Sequence, residues 1–210
     1  MKKVTVGLEK VILSFPHLIE KCPIDPVYIK TEEQRKYTAS FLLSKDDKRH
    51  MKAIQEMQDK LKDLLITIKV KQNPHILIKD GDEEYDAIDD ADKKLKHEYK
   101  RGKFIITANN KFKPTLSAKG GEKFDLNTHE KLFYPGCFVH AFIELSPYKF
   151  NDVWKGVSNR LQHVQFSKDG NSLSGGGAMS GASVFDKFVD DEDDDFGTFK
   201  QEIANPQDIF

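Results

Sequence analysis

The segment GCFVHAFIEL, residues 136–145, decides the fold. Read at a period of two, Cys137, Val139, Ala141, Ile143 and Leu145 fall on one face of a strand, and Phe138, His140, Phe142 and Glu144 on the other. The first face is wholly apolar and therefore belongs to a core. The second puts two phenylalanines and a histidine where solvent or a ligand can reach them. Every nucleobase has a π-face, and stacking on an aromatic ring contributes about 1–3 kcal/mol per base. Left uncovered, such a row is a platform for single-stranded nucleic acid; covered by a helix or a second sheet, it is simply more core.

Working outward, GVSNRLQHVQF (156–166) reads as the following and last strand, with SPYKFNDVWK (146–155) as the connection. Upstream, VTVGLEKVILSF (4–15), YTASFLLS (37–44) and KFIITANN (103–110) are rich in β-branched and aromatic residues and read as strands, the first with a break expected near Gly7. The three prolines of PHLIEKCPIDPVY (16–28) require a loop. Over residues 47–65 the period changes: Met51, Ile54, Met57, Leu61, Leu64 and Leu65 recur at steps of three and four, which predicts an amphipathic helix covering one side of the core. A short helix is expected from about Asp89 to Lys100, and KFKPTLSAKGGEKFDL (111–126) reads as a loop, part of which can pair as a hairpin. The class is mainly β with inserted α-helices: a domain over residues 1–169, a Gly/Ser-rich linker over 170–185 and an acidic tail over 186–210.

Charge is unevenly divided along the chain. The whole carries 33 Lys and Arg against 34 Asp and Glu. Residues 186–210 hold nine of the acids and only Lys187 and Lys200, which leaves 31 basic and 25 acidic side chains in residues 1–185. A basic body thus carries an acidic tail, and the near-neutral total conceals the sign of the body. Glu9 and Lys10 interrupt the first apolar run, so it is read as neither signal peptide nor membrane span. The compartment expected is the cytoplasm, with Cys22 and Cys137 as free thiols.

Two further segments interleave aromatics with cations, as a sequence-tolerant single-strand groove requires. Lys111, Phe112 and Lys113 precede Pro114 at a loop tip; Tyr148, Lys149 and Phe150, with Trp154 and Lys155, lie between the last two strands. Arg160 is a candidate for a phosphate or for stacking on a base. Chemistry is harder to place. The acids of KDGDEEYDAIDDAD (79–92) lack calcium-loop spacing and read as helix-capping acids, and the alternative is a magnesium-dependent nuclease site at Asp80, Asp82 and Glu83. Cys137 and His140 have zinc-like spacing but point to opposite faces of a strand, so they are not expected to share a metal. No nucleophile motif, Walker loop or dinucleotide fingerprint is present, and no cofactor is expected.

Four stretches taken in order, VILSFPHLIEK (11–21), DGDEEYD (80–86), FYPGCFVHAF (133–142) and GVSNRLQHVQFSKDG (156–170), followed by the linker and acidic tail, resemble a phage family once catalogued as a domain of unknown function and later recognised as OB-fold single-stranded-DNA binders. The resemblance implies a five-stranded Greek-key barrel and a non-catalytic protein that coats single-stranded DNA in phage replication or recombination, in the host cytoplasm. It further implies that the tail, through Asp190, Asp191, Glu192, Asp193, Asp194, Asp195 and Phe210, meets replication proteins such as a polymerase, helicase or primase and competes with DNA for the groove. Homodimerisation is left open, and no membrane partner is implied. The DNA contacts expected are Phe138, His140, Phe142, Lys111, Phe112, Lys113, Tyr148, Lys149, Trp154 and Arg160. The rival reading is a protein-interaction adaptor or inhibitor that acts through the tail.

Overall fold

In the computed structural model, which describes residues 4–25, 29, 31–129 and 131–173, the period-two runs become β1 (Val4–His17), β2 (Tyr37–Ser44), β4 (Lys103–Asn110), β6 (Phe138–Phe150) and β7 (Val153–Lys168). Two short strands join them, β3 (Lys79–Asp80) and β5 (Thr115–Ser117). The helices are α1 (Lys48–Thr67), α2 (Gly81–Asp86), α3 (Ala91–Lys96) and α4 (Leu126–His129). The sheet runs β3-β4-β2-β1-β6-β7-β5, and a parallel pairing of β4 with β7 at Asn109 and Arg160 closes β1, β2, β4, β7 and β6 into a barrel. This is the five-stranded OB-fold, with its third and fifth barrel strands parallel where they meet.

The inward faces supply the core: Val6, Leu8, Val11 and Leu13 from β1, Phe41 and Leu43 from β2, Ile106 from β4, Val139, Ile143 and Leu145 from β6, Leu161 and Val164 from β7. Helix α1, capped by the Asp47 carboxylate accepting from Arg49 N (2.8 Å), adds Ile54, Met57 and Leu64 to the same core and packs chiefly on β1. His50 also lies on its buried face. Ser44 N donates to His50 Nδ1 at 3.0 Å, which leaves Nε2 as the donor to Glu9 O, also at 3.0 Å. The barrel seam has a single backbone pairing and is reinforced by side-chain amides. Asn159 Nδ2 donates to Leu77 O and Thr107 O (3.0 and 3.1 Å), and Asn110 Nδ2 to Leu161 O (2.8 Å).

Several expectations need correction. Gly7 pairs regularly with Phe142; the irregularities of β1 are two bulges, one between Leu8 and Val11 against β6 and one between Ser14 and His17 against β2. Residues 146–155 are not a connecting loop. The β6–β7 ladder continues to Phe150 and Val153, and Asn151 and Asp152, both at positive φ (50° and 60°), make the two-residue turn that suits the twist of a hairpin. Within 111–126, β5 pairs in parallel with β7. The acids of 80–86 do cap a helix as read: the Asp80 side chain accepts from Asp82 N, and Asp82, Glu83 and Glu84 fall in the first turn of α2, whose first residue must be glycine because a Cβ at Gly81 would collide with Lys100 O and Lys103 O. The body also continues past residue 169: Gly170 N donates to Tyr134 Oη (2.9 Å), and Leu173 N to Pro135 O (2.9 Å). No helix among the described residues is long and apolar enough to cross a membrane.

Candidate nucleic-acid interface

The outer face of β6 carries Phe138, His140 and Phe142, spaced about 6.8 Å apart by the rise of an antiparallel strand. Among the described residues, neither a helix nor a second sheet covers it. Phe142 is 52% exposed, and its ring lies over Gly7 of β1, where a Cβ would approach it to 3.4 Å. On the other side His163 meets the ring edge-on, with centroids 6.3 Å apart and planes at 88°. Phe142, His140, His163, Thr5 and Gln162 line an open groove of about 510 Å³. Glu144, the fourth residue of this face, is buried instead. Its carboxylate accepts from Gln162 Nε2 at 3.0 Å and lies 3.6 Å from Arg160 Nη1, so Arg160 stands on the same face with its charge directed partly to Glu144.

Phe138 belongs to a second groove, of about 660 Å³, shared with Lys10, Lys48, Arg49 and Lys168. Lys168 Nζ sits 5.0 Å from the Phe138 ring centroid. Arg49 is held by Asp47 at 2.7 Å, and this bond keeps the Asp47 carboxyl far below the usual range. From Phe138 an apolar row crosses the outside of the barrel in register: Lys168 pairs with Phe138, Phe138 with Ile12, Ile12 with Leu42, Leu42 with Ile105, and Ile105 with Lys79. Leu42 and Ile105 are buried yet lie outside the main core. The row is thus a stripe on the barrel wall with a lysine at each end.

The remaining candidates separate into two groups. Phe112 is 79% exposed, with exposed Lys111 and Lys113 on either side. Asn110 is bonded to Leu161 O and Thr115 pairs with His163, so this turn lies against the β7 segment that borders the Phe142 groove. Tyr148, Lys149 and Trp154 lie elsewhere, on the β6–β7 hairpin and about 20 Å along β6 from Phe142 by strand rise. Tyr148 stacks on His75 (5.4 Å between centroids) and Lys149 covers the Trp154 ring at 4.8 Å, so both half-buried rings are engaged within the hairpin region rather than free in a loop. The exposed apolar residues of the hairpin tip are Phe150 and Val153, and Lys149, Asn151, Asp152 and Lys155 are exposed beside them.

Sequence reasoning missed Lys10, Lys168, His163 and Phe15. A bulge in β7 between Leu161 and His163 turns His163 outward, and the β1 bulges do the same for Lys10 and Phe15; none of the three is a glycine or asparagine that would have signalled the irregularity. Lys168 follows the predicted strand end and acquires meaning only from its pairing with Phe138.

The acids near α2 do not make a metal centre. Lys45 Nζ donates to Asp80 (2.6 and 2.7 Å) and to Asp82 (2.7 Å), and these hydrogen bonds hold both carboxyls below the usual carboxylate range. The nuclease trio therefore has two of its three carboxylates committed to a lysine. Among the described residues no group of three or more His, Cys, Asp or Glu is placed to hold a metal ion. Cys137 lies in the core and His140 on the outer face, as strand alternation requires; burial pushes the Cys137 thiol up to about 12. The tail residues Asp190–Asp195 and Phe210, and the linker from residue 174, lie outside the described residues.

The sequence profile described as Enterobacter phage Enc34, ssDNA-binding protein, matches residues 3–197. The chain belongs to this family. It is a family of single-stranded-DNA-binding proteins and not of enzymes. Protein p50 of Acyrthosiphon pisum secondary endosymbiont phage 1 is 28% identical over 188 residues, covering 83% of this chain and 89% of that protein. Among solved structures, the single-stranded DNA-binding protein from bacteriophage Enc34 in complex with ssDNA superposes with a TM-score of 0.61 at 23% identity, over 80% of this chain and 88% of that one. A second structure of the bacteriophage Enc34 protein gives a TM-score of 0.57 at 22% identity, over 85% and 89% of the two chains. These likenesses establish the shared barrel.

Proposed function

We propose that this protein binds single-stranded DNA without catalysis, through the outer face of β6 and the β7 segment beside it. The observation that carries this reading is the row of half-buried Phe138 and His140 with exposed Phe142, uncovered by helix or second sheet and bordered by Lys168, Arg160 and the Lys111–Lys113 turn. Rings stack on bases regardless of sequence, and the cations neutralise phosphates. Membership of a phage single-stranded-DNA-binding family supports it, as does the barrel shared with the bacteriophage Enc34 protein, which has been solved in complex with ssDNA. We further assign the protein to coating of DNA in phage replication or recombination in the host cytoplasm. The tail over residues 186–210, with nine acids against two lysines, is assigned to replication proteins and to competition with DNA for the basic body.

The test is fluorescence anisotropy of a labelled oligo-dT titrated with the full chain and with residues 1–185, at two salt concentrations, with a duplex control. Tighter binding of single strand than duplex, weakening with salt and strengthening on removal of the tail is the expected pattern. If neither length binds DNA, the reading is wrong, and the tail is then the bait for a protein partner. Sedimentation of the same samples reports whether the protein is also a homodimer.

A further inference from the structure

The two bulges of β1 each place a non-glycine residue in left-handed backbone on the outer face of the barrel: Lys10 at φ 48° and Phe15 at φ 46°. Side chains with a Cβ are disfavoured there, and glycine is the residue that makes such a bulge without strain. Burial can offset strain of this kind, but Phe15 is 60% exposed and Lys10 is exposed too, so neither gains it from the core. Strained residues whose side chains do little for the folded state gather where a ligand is engaged.

The surroundings of both residues fit one ligand. Phe15 stands between two grooves. One is floored by Ser14, Ser40 and Thr107 and bordered by Lys79 and Lys100, which share the single carboxylate of Glu84; the other contains Lys131 and His17. Lys10 shares its groove with Lys48, Arg49, Lys168 and the Phe138 ring, against the two carboxylates of Asp46 and Asp47, the second of which is paired with Arg49. Between them on the same strand lies Ile12, the centre of the apolar row that ends in Lys168 and Lys79. The Ser40 and Thr107 hydroxyls are bonded to each other at 2.8 Å, which makes a flat polar shelf next to the Phe15 ring.

Resting on the reading that this chain binds single-stranded DNA, we propose that the β1 bulges are a presentation device: Lys10 contacts a phosphate and Phe15 stacks on a base. The bound strand then crosses β1 past Ile12, between the Lys10 and Phe15 grooves, extending the footprint beyond β6 and β7.

The test uses Lys10→Gly and Phe15→Gly in the full chain, with oligo-dT anisotropy and thermal melting measured on each. Glycine relieves the left-handed strain while removing the side chain. The expected result is therefore a Tm that holds or rises by a few degrees, together with weaker binding. The loss is about 5- to 150-fold for Phe15→Gly. For Lys10→Gly it is a few-fold, with the salt slope shallower by about 0.7. Phe15→Tyr, which keeps a ring, retains the wild-type affinity. A drop in Tm with unchanged Kd means that the residue is structural and overturns its assignment. Should Phe15→Gly not fold, Phe15→Leu, which keeps apolar bulk without a ring, replaces it, and wild-type affinity there refutes the stacking role. Failure of the wild-type chain to bind any single strand sinks the underlying reading, whereas intact wild-type binding with unaffected variants sinks this inference alone.

Discussion

Replacing Phe142 with alanine is the sharpest test of the β6 platform, because the structure separates its cost to folding from its cost to binding. The ring is 52% exposed, so about half of the 1.5–3 kcal/mol that full burial of such a side chain provides is at stake, roughly 1 kcal/mol. The edge-on contact with His163 adds about 0.5–1 kcal/mol. A total of about 1.5–2 kcal/mol lowers the Tm of a domain this size by roughly 3–8 °C, which leaves the protein folded at 25 °C. Losing one stacked base costs about 1–3 kcal/mol, a 5- to 150-fold rise in Kd for oligo-dT. The ring bears no charge, so the slope of log K against log salt stays at its wild-type value while the intercept falls. Anisotropy titrations of wild type and Phe142→Ala at three salt concentrations, with a melt of each, measure all of these quantities. A Kd within twofold of wild type refutes the platform. So does an equal loss of affinity for duplex, since paired bases do not offer their faces to a ring.

Other consequences concern the scaffold. Asn159→Ala leaves Leu77 O and Thr107 O without their donor at the barrel seam, and we expect a loss of about 1–3 kcal/mol by urea unfolding; a change under about 0.5 kcal/mol shows that the amide does not hold β7 to β4. Lys45 holds the Asp80 and Asp82 carboxyls below their ordinary values, so the stability they contribute is full above an unfolded pKa near 4 and is lost as pH falls through the lower folded values. Lys45→Met should be less stable at pH 7 and show a flatter fall in Tm from about pH 5 to 2; a wild-type acid slope contradicts the pairing. Cys137, buried with its thiol raised to about 12, should resist a thiol reagent at pH 8 until urea unfolds the barrel, and prompt labelling of the native protein at that position shows the site to be open.

Strands β2 and β4 were legible to the residue, because YTASFLLS and KFIITANN are rich in β-branched and aromatic residues, contain no glycine or proline, and keep a core residue at every second position. Helix α1 was legible from its change of period, although His50, a polar residue on its buried face, was not counted among the core positions. What escaped was whatever breaks a period without a glycine or proline to announce it. Strict alternation through 156–166 puts His163 and Gln165 on the face of Leu161, whereas the bulge after Leu161 turns Val164 and Phe166 inward instead. Asn151 and Asp152 were read as part of a loop because their turn is visible only once the strands on either side are known to pair. The Phe138, His140 and Phe142 row survived because the extra residues of the bulges beside it lie in β1 and β7, so β6 keeps its own alternation. Lys168, Lys10 and Phe15 depend on cross-strand neighbours far away in the chain or on left-handed backbone, and neither is written locally in the sequence.

The seam between β4 and β7 also has a meaning in time. β7 is the last strand of the barrel and the one that pairs with β6, β5 and β4. A ribosome adding about 5–20 residues per second needs roughly 10–30 s to reach its end at Lys168. Until then the inward faces of β1, β2 and β4 have no opposing wall, and their valines, leucines and phenylalanine stay open to water and to other nascent chains. Closure of the barrel is therefore gated by the arrival of a single strand, and the interval before it is when the chain is most exposed to aggregation and most in need of a chaperone.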